Sequence, residues 1–306
     1  MKKFAGPLHQ QQEKVNAYFQ SRSSFWKDIY ASGGVFAEII QERHATVLAW
    51  IESLALAPES QVLEVGCGAG FMAIALAQRG FRVHAIDSVE TMIEQARRQA
   101  AEAGVGERLC LEVGDVYNLA FEEESFDLVL AIGVIPWLEQ PELAMQEMAR
   151  VTRPGGHVIL TADNRARLNC LLDPWLNPAL APLKRRVKHT LEWLGLHRRS
   201  TDEAEATFNN FHDRHFIDEA LASTELIKTR GKTLGFGPFS LSRRKVLPEP
   251  LATAVHRRLQ RLADRNVPGL CSTGAHYIVL ARKSQSRSDL QPTSAGQSAS
   301  DTIKAL

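Results

Sequence analysis

The stretch Val62-Leu63-Glu64-Val65-Gly66-Cys67-Gly68-Ala69-Gly70-Phe71 decides the fold. A short apolar run ends in three glycines separated by single residues, and a helical pattern follows from Ala69 to Gln78. This order predicts a buried strand, a tight turn and the N-terminus of a helix. Glycines let the backbone of such a turn approach a ligand closely, and the helix end presents free N–H groups. We therefore expect a ligand site at this turn.

Strand and helix patterns alternate on both sides of this turn. Short apolar runs predict strands at 61–66, 81–86, 108–113, 126–132, 157–162, 225–234 and 277–281. Helical spacing predicts helices at 36–55, 69–79, 90–103, 140–151, 215–224 and 250–265. Repeated βα units indicate an α/β fold with a doubly wound, mostly parallel, seven-stranded sheet and helices on both of its faces.

The rhythm of the chain predicts five segments. They are an N-terminal helical cap (1–57), a ligand-binding core (58–163), a helical lid insertion (164–214), the remainder of the core with the closing strands (215–283) and a disordered tail (284–306). The tail is rich in Ser, Gln and Thr and has almost no apolar content, which is typical of disorder.

Composition excludes several classes of protein. The chain has 306 residues, 44% of them hydrophobic, and a formal net charge of +1. A charge this small does not favour a nucleic-acid partner. The four cysteines are scattered without a CxxC pair, so we expect no disulfide framework, no cysteine metal site and a cytoplasmic location. We find no uncharged apolar run long enough to cross a bilayer, and no signal peptide.

Polar residues follow the other predicted strands at places that matter for a ligand. Asp87 ends the second strand, 21 residues after Gly66, where a carboxylate can accept hydrogen bonds from ribose hydroxyls. Gly114-Asp115-Val116 follows the third strand and Ala131-Ile132-Gly133 ends the fourth. The carboxyl ends of parallel strands form one crevice, so we expect these residues to surround one ligand.

The glycine spacing discriminates between nucleotide ligands. A dinucleotide fingerprint, G-x-G-x-x-G, would have its third glycine where this chain has Phe71, because the spacing here is G-x-G-x-G. Glu64 stands two residues before the first glycine and could accept hydrogen bonds from backbone or from an ammonium group. A pyrophosphate would instead be met by N–H donors without a nearby carboxylate. The pattern favours a ligand with an amino acid end.

Together these motifs resemble class I S-adenosylmethionine-dependent methyltransferases, of the kind that act on small molecules. The likeness covers roughly residues 60–163 and the closing strands, and it is carried by Glu64-Val-Gly-Cys-Gly-Ala-Gly70, Asp87, Gly114-Asp115, Phe126-Asp127-Leu-Val and Arg153-Pro-Gly-Gly156. The resemblance implies that the cofactor is S-adenosylmethionine, that no metal is needed and that the final two strands are antiparallel neighbours.

The resemblance also implies roles for single residues. The glycine loop, Gly66, Gly68 and Gly70, would pass under the methionine part of the cofactor. Asp87 would bind the ribose hydroxyls, Asp115 the adenine amine, and Val116 would pack on the ring. The remaining candidate cofactor contacts are Ser88, Met92 and Ile132, although Met92 and Ile132 have the spacing of core residues as well. Asp87 could serve as a helix N-cap, and Asp115 could be a turn residue.

The acceptor side of the site carries weaker signals. Trp137 follows the fourth strand, where many relatives have a histidine; it either stacks on an acceptor or packs under the next helix. Asn164 and Arg165 follow the fifth strand and could bind polar groups of the acceptor. His212 and His215 are the candidate general bases, with a solvated or capping histidine as the alternative interpretation.

The predicted lid is rich in leucine and tryptophan and contains the basic stretch 184–199. These features predict a small, largely apolar acceptor that could be anionic or lipid-like, with peripheral membrane contact as a further option. A solvated basic face would give the same pattern.

We therefore expect methyl transfer to an oxygen or a carbon of a small metabolite. A catalytically silent, cofactor-binding regulatory or interaction subunit is the second hypothesis, because a family histidine is missing. A dinucleotide-dependent oxidoreductase is the third, and Phe71 disfavours it.

Overall fold

The structure is a computed structural model that describes residues 7–174, 177, 180, 186, 214–241 and 244–285. Most of the predicted lid at 164–214 lies outside these residues, and so do His212, nearly all of the basic stretch 184–199 and nearly all of the predicted tail at 284–306.

The elements match the predicted ones closely. The helices are α1 (Pro7–Ser21), α2 (Ser23–Asp28), α3 (Val35–Ser53), α4 (Phe71–Gln78), α5 (Glu90–Glu102), α6 (Pro141–Val151), α7 (Leu168–Leu172), α8 (Arg214–Ala222) and α9 (Glu249–Asp264). The strands are β1 (Gln61–Val65), β2 (Arg82–Asp87), β3 (Leu109–Val113), β4 (Phe126–Ala131), β5 (Thr152–Asp163), β6 (Leu226–Leu234), β7 (Ser240–Leu241), β8 (Arg244–Lys245) and β9 (His276–Lys283). Helix α4 begins two residues later than predicted because Gly70 has a φ of 84°, which a helix cannot contain.

Seven strands form one sheet in the order β3-β2-β1-β4-β5-β9-β6. The five strands from β3 to β5 are parallel, whereas β9 is antiparallel to both β5 and β6. The mostly parallel, seven-stranded α/β sheet and the antiparallel closing pair are therefore confirmed. The order reverses direction between β1 and β4, and a crevice opens at such a place outside the carboxyl ends of the strands.

Both faces of the sheet are buried, each under its own apolar layer. Val62 and Leu63 are neighbours on β1 but belong to different layers, because successive side chains of a strand point to opposite faces. One layer is covered by α3, α4 and α5 through residues such as Met72 and Ile93. The other is covered by α6 and α8 through residues such as Met145. Continuous burial explains why the strands are apolar runs without alternation.

The N-terminal helices continue the core and also cover one end of the sheet. Helix α3 buries Ile39, Val47 and Ile51 in the first apolar layer. It is joined to α9, because the carboxylate of Glu249 accepts a hydrogen bond from the backbone N–H of Val35 at 3.1 Å. Within the described residues, no helix combines the length and apolar character needed to cross a membrane.

Candidate functional site

A cavity of about 500 Å³ opens at the carboxyl ends of β1, β2, β3 and β4. Its floor is the glycine turn after β1, and α1, α2 and α3 supply the opposite wall. Candidate residues from all four strand ends line it, namely Glu64, Gly66, Gly68, Asp87, Ser88, Met92, Asp115, Val116 and Ile132. The four predicted strand ends therefore surround one cavity.

The three glycines of the turn are required for two different reasons. All have positive φ, at 66°, 54° and 84° for Gly66, Gly68 and Gly70. A Cβ on Gly66 would lie 2.4 Å from Cγ2 of Val134, and a Cβ on Gly70 would lie 2.9 Å from Cβ of Ala96. A Cβ on Gly68 would meet nothing within 4 Å, and Gly68 lines the cavity. Gly68 therefore keeps ligand space free, while Gly66 and Gly70 serve close packing.

Gly70 is consequently reassigned. It was expected to contact the cofactor, but it does not line the cavity. Its position is fixed by the approach of α4 to α5, where Ala96 leaves no room for a side chain. Its role is in helix packing behind the site.

Glu64 has a buried carboxyl group with one oxygen that lacks a hydrogen-bond partner. Its side chain lines the cavity and is 3% exposed, and its Oε2 atom has no hydrogen-bond partner within the described residues. Burial raises the pKa of Glu64 to about 8, against the backbone N–H of Ala73, which lowers it, and with a further increase from the charge of Asp87. A buried acceptor of this kind matches a cationic ligand group, since a cation within reach would favour the ionised form.

Asp87 fastens the glycine turn to the next βα unit. One carboxylate oxygen accepts a hydrogen bond from the N–H of Gly68 at 2.8 Å, and the other accepts one from the N–H of Val89 at 2.9 Å. Burial raises the pKa of Asp87, and the N–H groups of Val89 and Gly68 act against that rise. Each oxygen can accept a second hydrogen bond, so Asp87 can still bind ligand hydroxyls while it holds the turn.

The structural role of Asp87 can be measured in the free protein. Asp87→Ala is expected to lower the free energy of unfolding by about 2 kcal/mol, because two backbone N–H groups lose their acceptor. Asp115→Ala is the matched control, since Asp115 is exposed and accepts one hydrogen bond, from the N–H of Tyr117 at 2.9 Å. Denaturant unfolding should show a loss several times smaller for this control. Equal losses of unfolding free energy in the two variants would show that Asp87 does not hold the glycine turn.

The other candidate cofactor contacts differ in their exposure and in their partners. Asp115 is exposed at the rim of the cavity, and Val116 beside it is 8% exposed. Met92 is 1% exposed and belongs to the packed wall as much as to the cavity. Ser88 is tied to the N-terminal helix, because its hydroxyl donates a hydrogen bond to Oδ1 of Asn16 at 2.9 Å. Helix α1 therefore covers the end of β2.

Trp137 lies in an aromatic wall of the cavity. Its ring stacks on Tyr18 with 5.3 Å between ring centroids and meets Phe19 edge-on at 4.8 Å. Phe25, Trp26 and Phe36 extend the same wall. Trp137 thus packs against α1 and lines the cavity, and its stacking on an acceptor stays a prediction.

Two of the acceptor-side candidates are wrong as ligand contacts. Asn164 is 1% exposed, and its Nδ2 donates hydrogen bonds to the backbone oxygens of Ser272 at 2.9 Å and Gly274 at 2.8 Å. The side-chain amide of Asn164 therefore holds the loop that precedes β9. Arg165 is exposed and does not line the cavity.

The structure does not place a candidate base from the sequence in the cavity among the residues that it describes. The side chain of His215 is 77% exposed, pairs with Glu219 at 3.2 Å on α8 and lies outside the cavity. We therefore withdraw His215 as a base. His212 lies outside the described residues, so its assignment stays a prediction. Among the described residues there is no group of three His, Cys, Asp or Glu side chains that could hold a metal ion.

Sequence reasoning missed a polar corner of the cavity. Arg43 from α3, Asp163 from the end of β5, Arg167 after it and His276 at the start of β9 all line it. Arg43 is placed one or more turns inside an otherwise apolar helix face, which was the available signal for a buried charge. His276 gave no signal, because only the antiparallel register brings it opposite Asp163.

Comparison with known proteins agrees with this geometry. The family described as "Methyltransferase domain" matches residues 63–160. Ubiquinone biosynthesis O-methyltransferase of Paracidovorax citrulli is 34% identical over 150 residues, which are 49% of this chain and 61% of that protein. Malonyl-(acyl-carrier protein) O-methyltransferase of Serratia marcescens is 32% identical over 119 residues, 39% of this chain and 44% of that protein. The chain thus spans less than two thirds of the length of these curated relatives.

The fold is shared over a longer range. The crystal structure of magnesium protoporphyrin IX methyltransferase from Synechocystis with bound SAH superposes with a TM-score of 0.59 at 20% identity, and the match covers 89% of this chain and 100% of that one. At this level of identity the likeness concerns the fold alone.

Proposed function

We propose that the protein is a class I S-adenosylmethionine-dependent methyltransferase and that it transfers a methyl group from S-adenosylmethionine to an oxygen of a small acceptor. The match of residues 63–160 to the methyltransferase domain supports this proposal. The observation that carries this proposal is the meeting of Glu64, Gly68 and Asp87 at one cavity whose other wall is aromatic. An acceptor that reacts through oxygen is favoured over carbon by the O-methyltransferases among the relatives.

The residues present fit the cofactor. Glu64 would accept hydrogen bonds from the ammonium group of the methionine part, which supplies the partner that its buried Oε2 lacks. Gly68 would let the turn approach that part closely, and Asp87 would bind the ribose hydroxyls. Asp115 and Val116 would meet the adenine. When bound, S-adenosylmethionine supplies a methyl group on a sulfonium sulfur, which a lone pair of the acceptor can displace.

The protein's own contribution is alignment and exclusion of water. The aromatic wall of Tyr18, Phe19 and Trp137 would hold a flat or apolar acceptor against the strand ends. Holding two reactants in line converts a bimolecular reaction into an effectively unimolecular one, which supplies a large part of the rate enhancement. The buried polar corner would fix the reacting end of the acceptor.

The charged residues of the cavity indicate which charge the acceptor carries. Arg43 and Arg167 line the corner, so an acceptor with an acidic or anionic end fits better than a cationic one. A lipid-like tail would suit the aromatic wall, with peripheral membrane contact as part of the same proposal. A cavity site of this kind calls for a small molecule rather than a nucleic acid. We place the reaction in the cytoplasm, because the four cysteines are free thiols.

The second hypothesis, a catalytically silent subunit, finds no support. The relatives named above are O-methyltransferases, which favours catalysis. The open space at Gly68 and the unpaired Oε2 of Glu64 fit both hypotheses, because a silent subunit would bind the cofactor as well.

The test of the proposed function is methyl transfer to an unknown acceptor. The protein is incubated with S-adenosylmethionine carrying a labelled methyl group and a small-molecule extract of cells, and products are identified by mass spectrometry. We expect a labelled, organic-extractable product whose yield at sub-saturating S-adenosylmethionine falls when the Gly68→Ala variant replaces the wild type. A protein that binds S-adenosylmethionine but labels nothing in the extract would revive the silent-subunit hypothesis.

A further inference from the structure

The cavity contains a histidine–carboxylate pair that cofactor binding does not use. Nδ1 of His276 lies 3.0 Å from Oδ1 of Asp163, and both side chains line the cavity. Their side chains are 12% and 14% exposed. The pair is therefore enclosed but still in reach of a bound molecule.

The scaffold fixes this pair in place. His276 and Asp163 are directly opposite in the antiparallel register of β9 and β5. The loop before His276 is held by the two hydrogen bonds that Asn164 donates to Ser272 and Gly274. A Cβ on Gly274 would lie 2.5 Å from the backbone nitrogen of Leu234, so this loop also needs its glycine. Such support limits the histidine to one orientation.

The pairing leaves the ring ready to accept a proton. When Nδ1–H donates to Asp163, the neutral ring keeps its lone pair on Nε2, and Nε2 makes no hydrogen bond with the described residues. Burial lowers the pKa of His276; the hydrogen bond and charge of Asp163 raise it, and the charges of Arg43 and Arg167 lower it further. The ring is therefore neutral near pH 7.

A buried cation stands in the same corner. Arg43 is 8% exposed, and its Nε atom has no hydrogen-bond partner among the residues that the structure describes. It forms no ion pair with any residue that the structure describes. Its guanidinium lies against the end of β4, since a Cβ on Gly133 would be 3.2 Å from Nη1. An enclosed cation that forms no direct ion pair with the described residues favours a ligand that carries or develops negative charge.

Resting on the proposed methyl transfer, we propose that His276 is the catalytic base that takes the proton from a weakly acidic hydroxyl of the acceptor, a phenol or an enol. Asp163 is the positioning residue that orients the ring, and Arg43 stabilises the oxyanion. The O–H bond breaks, the proton forms an N–H bond with Nε2, and the electron pair stays on the acceptor oxygen. The resulting imidazolium is stabilised by Asp163 and later releases its proton to solvent.

A carboxylic acid acceptor fits this corner less well. Such a group has already lost its proton near pH 7 and needs no base. The negative charge of Asp163 beside it would also repel the carboxylate. A hydroxyl that must be ionised uses every group of the corner.

The experiment follows proton transfer without methyl transfer. The protein is saturated with S-adenosylhomocysteine, and 7-hydroxycoumarin is added as a phenol probe, because its neutral and anionic forms absorb at different wavelengths. At pH 6.5 we expect the ratio of anion to neutral form to be about tenfold higher for the bound probe than for the free one. Calorimetry with S-adenosylhomocysteine is run on every variant as a separate reading of the cofactor site.

Variants identify the residues responsible. His276→Gln should remove most of the excess anion and leave only the part that Arg43 supports. Asp163→Asn should reduce the excess anion and shift its pH dependence to lower pH, because Asp163 raises the pKa of the ring. His215→Gln, on the exposed face of α8, should match the wild type.

Each outcome has a separate meaning. If S-adenosylhomocysteine binds but the probe does not bind, stays neutral, or ionises equally in His276→Gln, this inference is overturned and the proposed function stands. If S-adenosylhomocysteine itself fails to bind the folded wild type, the proposed function fails.

Discussion

Glu64→Gln is expected to stabilise the free protein at alkaline pH while it weakens the binding of S-adenosylmethionine. Glu64 is buried beside the glycine turn, and its pKa is raised to about 8 from an ordinary value of 4.5. The variant keeps the size of the side chain and removes the charge. It therefore separates the effect of the buried carboxylate on stability from its effect on cofactor affinity.

The sign of the stability effect follows from the proton balance. Between pH 4.5 and 8 the folded protein holds the proton of Glu64, whereas the unfolded chain has released it. The free energy of unfolding therefore falls as the pH rises through this window, by an amount on the order of 4 kcal/mol. Glu64→Gln should remove this contribution, so its advantage over the wild type should grow between pH 5 and pH 8.5 in thermal unfolding.

The binding effect has the opposite sign. An ammonium group needs the ionised carboxylate, so binding below pH 8 should release a proton, and the affinity of the wild type should rise by up to about tenfold per pH unit. Glu64→Gln should bind with roughly 10- to 100-fold lower affinity at pH 8, since a charge-assisted hydrogen bond contributes about 1.5–3 kcal/mol. Its affinity should be almost independent of pH.

Glu94→Gln is the control, because Glu94 is exposed on α5. Calorimetry in two buffers of different ionisation enthalpy gives the proton release directly. A wild-type affinity that is flat from pH 6 to 8, or a Glu64→Gln variant that binds like Glu94→Gln, would contradict the ammonium contact.

Gly68→Ala is expected to weaken cofactor binding at a moderate cost in stability. Gly68 has a φ of 54°, and a Cβ there would meet nothing within 4 Å and would occupy cavity space. The strained backbone should cost about 1–2 kcal/mol of stability. A methyl group in the place of the ligand should cost a further 1–3 kcal/mol of binding free energy, roughly 5- to 150-fold in affinity.

Gly80→Ala is a matched control for the backbone term. Gly80 has a φ of 91°, has the same open space around a Cβ and lies outside the cavity, after α4. Thermal unfolding should show similar losses for both variants, and calorimetry should show weakened binding for Gly68→Ala alone. Equal affinities in the two variants would place the cofactor away from the glycine turn.

The sequence predicted the sheet because its central strands, such as β1 and β4, are apolar runs buried on both faces. The positions of Glu64, Gly68 and Asp87 followed from that prediction, since strand ends of a parallel sheet meet at one edge. Their places are local, because Glu64 and Asp87 lie at the ends of β1 and β2 and Gly68 follows β1 by three residues. Small errors in the element bounds therefore did not matter. Gly70 could not be separated from Gly68 in the same way, because its requirement comes from Ala96 on a distant helix.

The acceptor side depended on contacts that no local pattern records. His215 lies in a stretch with two histidines, which attracted attention, yet α8 points that side chain to solvent. Asn164 follows a strand end as a ligand residue would, yet the loop before β9 takes both of its donor hydrogens. His276 and Asp163 are separated by more than a hundred residues and meet only through the antiparallel pairing.

The most direct test of the central claim is calorimetric titration of S-adenosylmethionine into the wild-type protein. Saturable binding to one site per chain is predicted, with proton release near pH 7. A folded protein that gives no binding heat and no change in thermal unfolding temperature with S-adenosylmethionine or S-adenosylhomocysteine would contradict it.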